Sequence, residues 1–322
     1  MTSNRILLDV HAHLIPLRPQ DTEGVAGVSW NAAGRLVVDG GELPNPQVYD
    51  AQALLAWMDR HGVASTWISA PPTLYRAQLE EAAAQDWARR LNRALDAVVQ
   101  QHPQRLACLH HLPMQHPAAA ARLVQESGER FAMPCGDPAG VRLLSEPAYE
   151  PLWQALDAKG AFLFLHPGRA CDRRFSHFSL MNLLGGPTET ALAAAHLAMA
   201  GIAERRPRIR FCLAHGGGTL PAAAGRIQRG QETEREGAYL GGEKIRQALR
   251  RFHADCITHD AAALQLAAAT FGEERILFGS DWPFGMGLPE PHGALADTPA
   301  ALRQRIFEAN PRALLDAAKG GA

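Results

Sequence analysis

Four short apolar segments, spread along the chain, carry residues that can bind a metal ion or move a proton. DVHAHLIP contains His11 and His13, FLFLHPG contains His166, FCLAHGGG contains His215 and ILFGSDWPF contains Asp281. In an extended segment, side chains two residues apart point to the same side, so His11 and His13 can direct both imidazoles at one ion. The pattern predicts a metal centre with a proton-transfer residue beside it.

We assign His11, His13, His166 and Asp281 as the ligands of one divalent metal ion. Three neutral imidazoles and one carboxylate suit Zn²⁺ best, with Mn²⁺, Fe²⁺ and Co²⁺ as alternatives. His215 is surplus to this set, so its predicted role is acid/base catalysis beside a metal-bound water. Asp281 is predicted to serve catalysis as well as metal binding. Each residue alone could equally be a hydrogen-bonded side chain that ends its strand, but together they favour a metal centre.

The elements that must position these residues follow a regular alternation. Short runs rich in Val, Ile, Leu and Phe alternate with longer amphipathic stretches, which is the pattern of βα units. Strands are predicted at residues 6–10, 65–70, 106–110, 140–144, 162–165, 209–214, 253–257 and 276–279. Helices are predicted at residues 51–60, 79–100, 118–126, 149–158, 189–204, 220–234, 261–270 and 300–317.

This alternation fits either a (β/α)8 TIM barrel or an open, doubly wound α/β sheet. The candidate site residues follow several different strands, and active sites of barrels are built from the carboxyl ends of many strands. We therefore predict a (β/α)8 TIM barrel. The 322 residues exceed the roughly 250 of a typical barrel, but barrels tolerate insertions, so residues 1–322 are expected to form a single domain.

One segment interrupts the alternation between the first strand and the first helix. Residues 24–46 include VSWNAAGRLVVDGG, two apolar runs on either side of an Asn-Ala-Ala-Gly turn. This predicts a small β-hairpin insertion. Its position directly after the first strand places it over the barrel mouth, as a lid or a subunit contact.

Composition narrows the function classes. The 32 basic and 33 acidic residues leave a net charge of -1, which does not favour binding to nucleic acid or to an anionic membrane. No apolar run is long enough to span a bilayer, and no signal peptide is evident, so we expect a soluble, cytoplasmic protein. The five cysteines lack CxxC spacing and are interpreted as reduced packing residues.

Several segments in one order resemble the amidohydrolase superfamily, in particular the α-amino-β-carboxymuconate-ε-semialdehyde decarboxylases. They are DVHAHLIP, MDRHGV, RLACLHHLPMQHP, FLFLHPG, GGPTETALA, FCLAHGGGTLPAAAGR, CITHD and RILFGSDWPF. The resemblance implies the four metal ligands already assigned and His215 as the catalytic acid/base. It also implies a homodimer in which Arg226 reaches the neighbouring subunit's site and binds a substrate carboxylate; otherwise Arg226 would be an ordinary helix-surface residue.

The chain also departs from the decarboxylase pattern. The family has a carboxylate-binding arginine before the first helix, but residues 39–49, DGGELPNPQVY, contain none. Gly168 replaces the family's aromatic residue after the HP motif, and Arg169, Arg173 and Arg174 follow it. We predict that Arg169 contacts the substrate, which is then not the one that names the family. His259, in CITHD, is predicted to orient a ligand or the substrate.

These observations predict a metal-dependent, non-oxidative decarboxylase that acts on a small unsaturated or aromatic carboxylic acid and needs no organic cofactor. The alternative is a metal-dependent hydrolase or hydratase that acts on a lactone, a cyclic amide or an unsaturated diacid. A barrel that only binds metal or ligand is disfavoured by the presence of His215.

Overall fold

Parallel strand segments follow one another around a ring in the computed structural model, which describes residues 5–170, 172–235, 237 and 241–319. The ring has eight strand positions. Two short segments, β6 (Leu106–Cys108) and β7 (His110–His111), form one of these positions, which is interrupted at Leu109. The predicted TIM barrel is therefore confirmed. The barrel strands are β1 (Ile6–His13), β5 (Val63–Ser69), β6 (Leu106–Cys108), β7 (His110–His111), β8 (Arg130–Pro134), β9 (Phe162–His166), β10 (Arg210–Leu213), β11 (His253–Asp255) and β12 (Ile276–Leu277).

Backbone contacts between the first and the last barrel strands close the ring. The pairing order is β1, β5, β6 and then β7 to β12. The amide of Val10 donates to the carbonyl of Phe278 at 3.0 Å, and Ala12 forms a parallel bridge with Trp282. Because all strands run in the same direction, their carboxyl ends meet at one mouth.

Helices surround the ring and connect successive strands. Asp50 caps the first helix by accepting hydrogen bonds from the amides of Gln52 and Ala53, and Gly62 ends it with a φ of 68°. The helices are α1 (Ala51–His61), α2 (Glu81–Gln101), α3 (Pro117–Glu126), α4 (Glu150–Lys159), α5 (Gly186–Met199), α6 (Ile202–Arg205), α7 (Leu220–Glu232), α8 (Ile245–Leu249), α9 (Ala261–Phe271), α10 (Pro291–Ala294), α11 (Ala300–Gln304) and α12 (Asn310–Lys319).

Apolar side chains fill two layers on the two sides of the strands. Trp67 and Phe164 belong to the cluster inside the barrel, whereas their chain neighbours Ile68 and Leu163 belong to the larger cluster between strands and helices. Alternate residues of a strand face opposite sides, so each strand contributes to both layers. Burial of these side chains holds the ring rigid beneath the mouth.

The prediction of the fourth strand at residues 140–144 is wrong. The strand at this position is β8, Arg130–Pro134, and Val141 is 66% exposed. The Asp137 side chain accepts hydrogen bonds from the amides of Ala139, Val141 and Arg142. These bonds turn the backbone and occupy amides that a strand would use, so an apolar run alone was a misleading signal.

The predicted hairpin insertion is confirmed and contains one strand more than expected. It is an antiparallel sheet of β2 (Val28–Trp30), β3 (Leu36–Val38) and β4 (Gly41–Glu42). Asn31 makes the predicted turn, because its side chain accepts hydrogen bonds from the amides of Ala33 and Arg35. We call residues 24–46 the lid, since several of its side chains line the cavity at the mouth.

A buried arginine ties the lid to the barrel. The Arg76 side chain is 3% exposed and donates to both carboxylate oxygens of Asp39, at 2.9 and 2.7 Å, and to the carbonyl of Ala26 at 2.7 Å. Gly27 must lack a side chain, because a Cβ there would lie 2.4 Å from Asp39 Oδ1. The lid is therefore attached by a polar contact as well as by its apolar cluster.

The helices and the cysteines of the described residues agree with what the sequence predicts about membrane spans and disulfides. Within the described ranges, no helix combines the length and the apolar character needed to cross a bilayer. Four cysteines, Cys108, Cys135, Cys212 and Cys256, are buried and unpaired, as predicted for packing residues. Cys171 lies outside the described residues.

The Arg76–Asp39 contact predicts that Asp39→Asn loosens the lid. Asparagine tolerates the left-handed φ of 50° at this position, so the change removes mainly the negative charge. Because Asp39 is partly exposed, we expect a loss of about 1–2 kcal/mol in unfolding free energy and faster proteolysis within residues 24–46. The matched control is Glu42→Gln, which removes the exposed pair with Arg35 in the same sheet and should cost less than about 0.5 kcal/mol. Equal proteolysis of both variants would contradict the role of Arg76.

Candidate active site

Four predicted ligands converge at the barrel mouth. His11 and His13 are fully buried on β1, His166 ends β9, and Asp281 follows β12. One ligand atom from each of the four lies within 4.8 Å of every other. The Nε2 atoms of His11 and His13 are 3.1 Å apart, and Asp281 Oδ1 is 3.4 and 3.2 Å from them. The tertiary structure therefore brings together all four residues of the predicted ligand set.

The second nitrogen of each ligand histidine is held by a protein oxygen. Because Nδ1 of each ring is engaged in this way, Nε2 is the atom left to face the common centre. Three imidazole nitrogens and a carboxylate that point at a common centre suit a divalent ion. Without the ion, these nitrogens would be left to hydrogen-bond to one another. The contacts at Nδ1 are His11 with Asp255 Oδ2 at 2.7 Å, His13 with Ser69 Oγ at 3.1 Å, and His166 with the carbonyl of Pro167 at 2.9 Å.

Asp255 was not among the residues predicted from the sequence. It is fully buried at the end of β11, and its Oδ1 accepts hydrogen bonds from the amides of Gly216 and Ile257, at 2.9 and 3.0 Å. Its other oxygen orients His11. The signal available in the sequence was an aspartate in HADCITHD, at the seventh strand.

Close backbone packing sets the position of Asp281. Its amide donates to the carbonyl of His11 at 2.7 Å, and its φ is 54°, a conformation that is uncommon outside glycine and costs energy. Two residues earlier, a Cβ on Gly279 would lie 2.9 Å from the Cβ atoms of both Asp255 and His11. The last strand can therefore approach β1 this closely only because residue 279 is glycine.

Burial and the neighbouring carboxylates set the charge of the ligands. Burial lowers the pKa of His13 and holds the pKa of His166 well below its usual range. Burial also opposes a charge on His11, but the carboxylates of Asp281 and Asp255 outweigh it and raise the pKa of His11 to about 10. A metal ion must therefore compete with a proton on His11.

His215 lies beside the ligands without belonging to them. Its ring centroid is 5.1 Å from that of His166 and 5.4 Å from that of His11. His215 and the three glycines after it all have positive φ, and a Cβ on Gly218 would lie 1.9 Å from the carbonyl oxygen of Pro187. Burial lowers the pKa of His215, and its Nδ1 is buried without a hydrogen-bond partner in the described structure. The HGGG turn thus holds an imidazole that is free to exchange a proton.

The centre opens into a cavity of about 1450 Å³, lined by His13, His166, His215 and Asp281 together with lid residues. Its volume exceeds the upper end of the usual range for small-molecule sites, roughly 300–1,000 Å³. A molecule of a few rings fits easily.

One wall of the cavity is aromatic. Tyr75 is buried, lines the cavity and stacks on His111, with ring centroids 5.4 Å apart and planes 9° from parallel. The ring of Tyr75 also meets His166 edge to face, at 6.3 Å. Burial lowers the pKa of His111 to about 4, so this ring is neutral at physiological pH. The sequence analysis did not identify Tyr75 as a residue of the site.

Three arginines line the cavity, and two of them are already paired. Arg76 bonds to Asp39, and Arg142 bonds to Asp137 at 3.1 Å. Arg169 lines the cavity and is exposed, and no ion pair to it is found over the described ranges. Its placement is compatible with the predicted contact to substrate.

The other two predicted substrate-binding residues are not brought to the cavity of this chain. Arg226 is exposed on α7 and is absent from the cavity lining. His259 is exposed, has a φ of 58° and is likewise absent from the lining. A role for either residue would require another subunit or a change in the loops.

Comparison with known sequences gives the family. The sequence model of the amidohydrolase family matches residues 8–317, which confirms the resemblance inferred from the motifs. The 2-amino-3-carboxymuconate-6-semialdehyde decarboxylase of Dictyostelium discoideum is 26% identical over 295 residues, which are 87% of this chain and 82% of that protein.

Solved structures share the same barrel. The 5-carboxyvanillate decarboxylase of Sphingomonas paucimobilis has a TM-score of 0.78 at 21% identity, over 96% of this chain and 98% of that chain. A dihydroxybenzoic acid decarboxylase of Polaromonas sp. JS666, with bound manganese and the inhibitor 2-nitroresorcinol, has a TM-score of 0.78 at 22% identity, over 97% of each chain. At this level of identity, the superpositions confirm the fold.

The contact between Asp255 and His11 predicts that Asp255→Asn weakens metal binding. The amide preserves shape but removes the charge that orients His11, and such partners typically contribute 10–100-fold to metal affinity. We expect that loss when the protein is dialysed against graded chelator and its metal is measured by elemental analysis. Asp137→Asn is the matched control, because Asp137 is buried at the same cavity but bonds to its own turn and Arg142. Unchanged affinity in Asp255→Asn would refute this role, and a His11→Ala/His13→Ala variant with as many ions as wild type would refute the ligand assignment.

Proposed function

Because the chain belongs to the amidohydrolase family, we propose that it is a metal-dependent, non-oxidative decarboxylase of a small unsaturated or aromatic carboxylic acid. The observation that carries the proposal is one constellation: the four predicted ligand residues, from three strand positions, converge at a large cavity with His215 beside them. The curated relative from Dictyostelium discoideum and the two superposed enzymes are all decarboxylases.

His11, His13, His166 and Asp281 would hold the ion. A bound divalent ion supplies Lewis-acid polarisation and positive charge for a substrate oxygen. We propose Zn²⁺ as the resident ion, on the ground that three imidazoles and a carboxylate are a common zinc ligand set. Manganese is the alternative, because the Polaromonas enzyme contains it and the same ligands accept it.

His215 would move the proton that decarboxylation requires. When the bond between the substrate carbon and its carboxylate breaks, the carboxylate leaves as CO₂ and the bonding electron pair stays on the carbon. That carbon must then accept a proton. The partly buried imidazole of His215, with its lowered pKa, gives up a proton readily when it is charged, so it suits protonation of a carbon that is a weak base.

The aromatic wall and Arg169 would position the substrate. Tyr75, with the neutral ring of His111 stacked behind it, offers a flat surface against which a planar unsaturated acid can pack. Arg169 would bind a carboxylate of the substrate through its guanidinium group. This arrangement replaces the carboxylate-binding arginine that residues 39–49 lack.

For His215 we predict loss of turnover with retention of metal. General acid/base residues contribute roughly 10²- to 10⁴-fold, so His215→Asn should lower kcat by about that factor. The assay follows both CO₂ release and water addition with a panel of aromatic and muconate-type acids, beside elemental analysis. His102→Asn, which removes an imidazole at the far end of α2, is the control. If His215→Asn loses the ion, His215 is a ligand. If His215→Asn keeps full activity, the proton-transfer role is refuted. Water addition without CO₂ release by the wild type would favour a hydratase or hydrolase.

For Arg169 we predict a defect mainly in substrate binding. Arg169→Ala removes a charged partner of a carboxylate, so kcat/KM should fall roughly 10–100-fold, chiefly through a higher KM. Arg173→Ala is the matched control, because Arg173 lies in the next turn but does not line the cavity. Equal kinetics of the two variants would exclude Arg169 from substrate binding.

We propose that the chain forms a homodimer in which Arg226 binds a substrate carboxylate in the neighbouring subunit's site. Arg226 is exposed and does not line the cavity of its own chain, so with the loops as they stand it would bind a substrate carboxylate in a neighbouring subunit. Light scattering should then give twice the chain mass of 34.8 kDa.

Mixing two inactive variants tests this arrangement. In a heterodimer of Arg226→Ala and His215→Asn subunits, one of the two sites regains both residues. Because half of the dimers in an equal, randomly exchanged mixture are heterodimers, the activity of the mixture should recover to about a quarter of wild type. Each variant mixed with itself is the control. No recovery in a mixture that light scattering shows to be dimeric would refute a contribution across subunits.

A further inference from the structure

A second group of side chains of the types that bind metals lies between the barrel strands and α2. Asp96 is on α2, Cys108 ends β6 and His110 begins β7. Cys108 Sγ is 3.1 Å from Asp96 Oδ1, and His110 Nε2 is 2.9 Å from the same oxygen. We propose that Asp96, Cys108 and His110 form a second transition-metal site, which takes a thiophilic divalent ion such as Zn²⁺, Co²⁺ or Cd²⁺.

Strand geometry places the thiol and the imidazole on one side. Cys108 and His110 are two residues apart, so both side chains point to the same face. Leu109, between them, belongs to the apolar cluster inside the barrel, whereas Cys108 belongs to the cluster between strands and helices. The thiol and the imidazole therefore both face α2, which supplies Asp96 from the facing turn.

The donor set and its spacing suit a tetrahedral ion. With metal–sulfur bonds of about 2.3 Å and metal–nitrogen or metal–oxygen bonds of about 2.0–2.1 Å, neighbouring donors lie roughly 3.3–3.8 Å apart. The distances of 3.1 and 2.9 Å need to open by only a few tenths of an ångström. Asp96 is 44% exposed, so solvent can reach the site and supply the fourth ligand.

One carboxylate oxygen serves both other members of this cluster. The Cys108 thiol and Nε2 of His110 both hydrogen-bond to Asp96 Oδ1. Burial, together with Asp96, raises the pKa of Cys108 to about 12, so the ion-free thiol is protonated. When the ion binds, the thiol proton is released to solvent and the thiolate becomes a ligand.

Cobalt distinguishes this site from the centre at the mouth. The mouth ligands are three histidines and an aspartate, without sulfur, so thiolate-to-cobalt charge-transfer absorption in the near ultraviolet can come only from a cysteine site. Co²⁺ is titrated into the full chain after removal of bound metal with a chelator. We expect two equivalents to bind, and the charge-transfer band to accompany one of them.

The variants separate the two sites. Cys108→Ala should lose the band and one equivalent but keep the other, whereas His11→Ala/His13→Ala should keep the band. Cys256→Ala, which removes another buried free cysteine, is the matched control and should keep both equivalents. Asp96→Ala, at a partly exposed helix position, guards against misfolding of Cys108→Ala and should weaken the band-forming equivalent at least roughly tenfold.

The proposal is overturned if the wild type binds a single equivalent without the band, if the band persists in Cys108→Ala, or if Asp96→Ala binds the second equivalent as tightly as wild type. None of these outcomes depends on the decarboxylase activity, because the readout is absorption by the bound ion.

Discussion

The closure of the barrel between its first and last strands is the constraint on which the site depends. The amides of Val10 and His13 on β1 donate to the carbonyls of Phe278 and Trp282, and the amides of Ser280 and Asp281 donate to the carbonyl of His11, at 3.2 and 2.7 Å. This single register places a carboxylate beside two imidazoles that are more than 260 positions away in the chain. A slip of one residue would turn His11 and His13 to the outside of the ring, and the metal centre would not form.

Close backbone approach around this seam is as important as the ligands themselves. Gly279 leaves room for the side chains of His11 and Asp255, and Gly218 leaves room for the carbonyl of Pro187. Asp281 itself adopts a positive φ, which is a costly conformation for a residue with a side chain. The apolar layers on both sides of the strands supply the rigidity that holds these backbone positions. The packing that stabilises the scaffold therefore also fixes the geometry of the site.

The lid and Tyr75 form walls of the cavity beside the predicted metal centre. The lid is attached by an apolar cluster and by the buried Arg76, and it contributes residues to the cavity beside the four predicted metal ligands. Arg76 and Arg142 are engaged with carboxylates of the protein. The proposed recognition of a substrate carboxylate accordingly falls to Arg169 within the chain and to Arg226 from a neighbouring one.

Local patterns in the sequence determined the alternating elements, the hairpin of the lid and the residues at strand ends, because strand alternation, turn chemistry and apolar runs act over a few residues. These patterns were enough to single out His11, His13, His166, His215 and Asp281 as candidate site residues, and the fold brings these five side chains together. Only the tertiary structure decided which side chains meet over long separations. The Asp255 contact to His11 spans 244 positions, and no local pattern could reveal it. The fourth strand was misplaced for the converse reason: the side chain of Asp137 bonds to amides of an apolar run and prevents it from pairing.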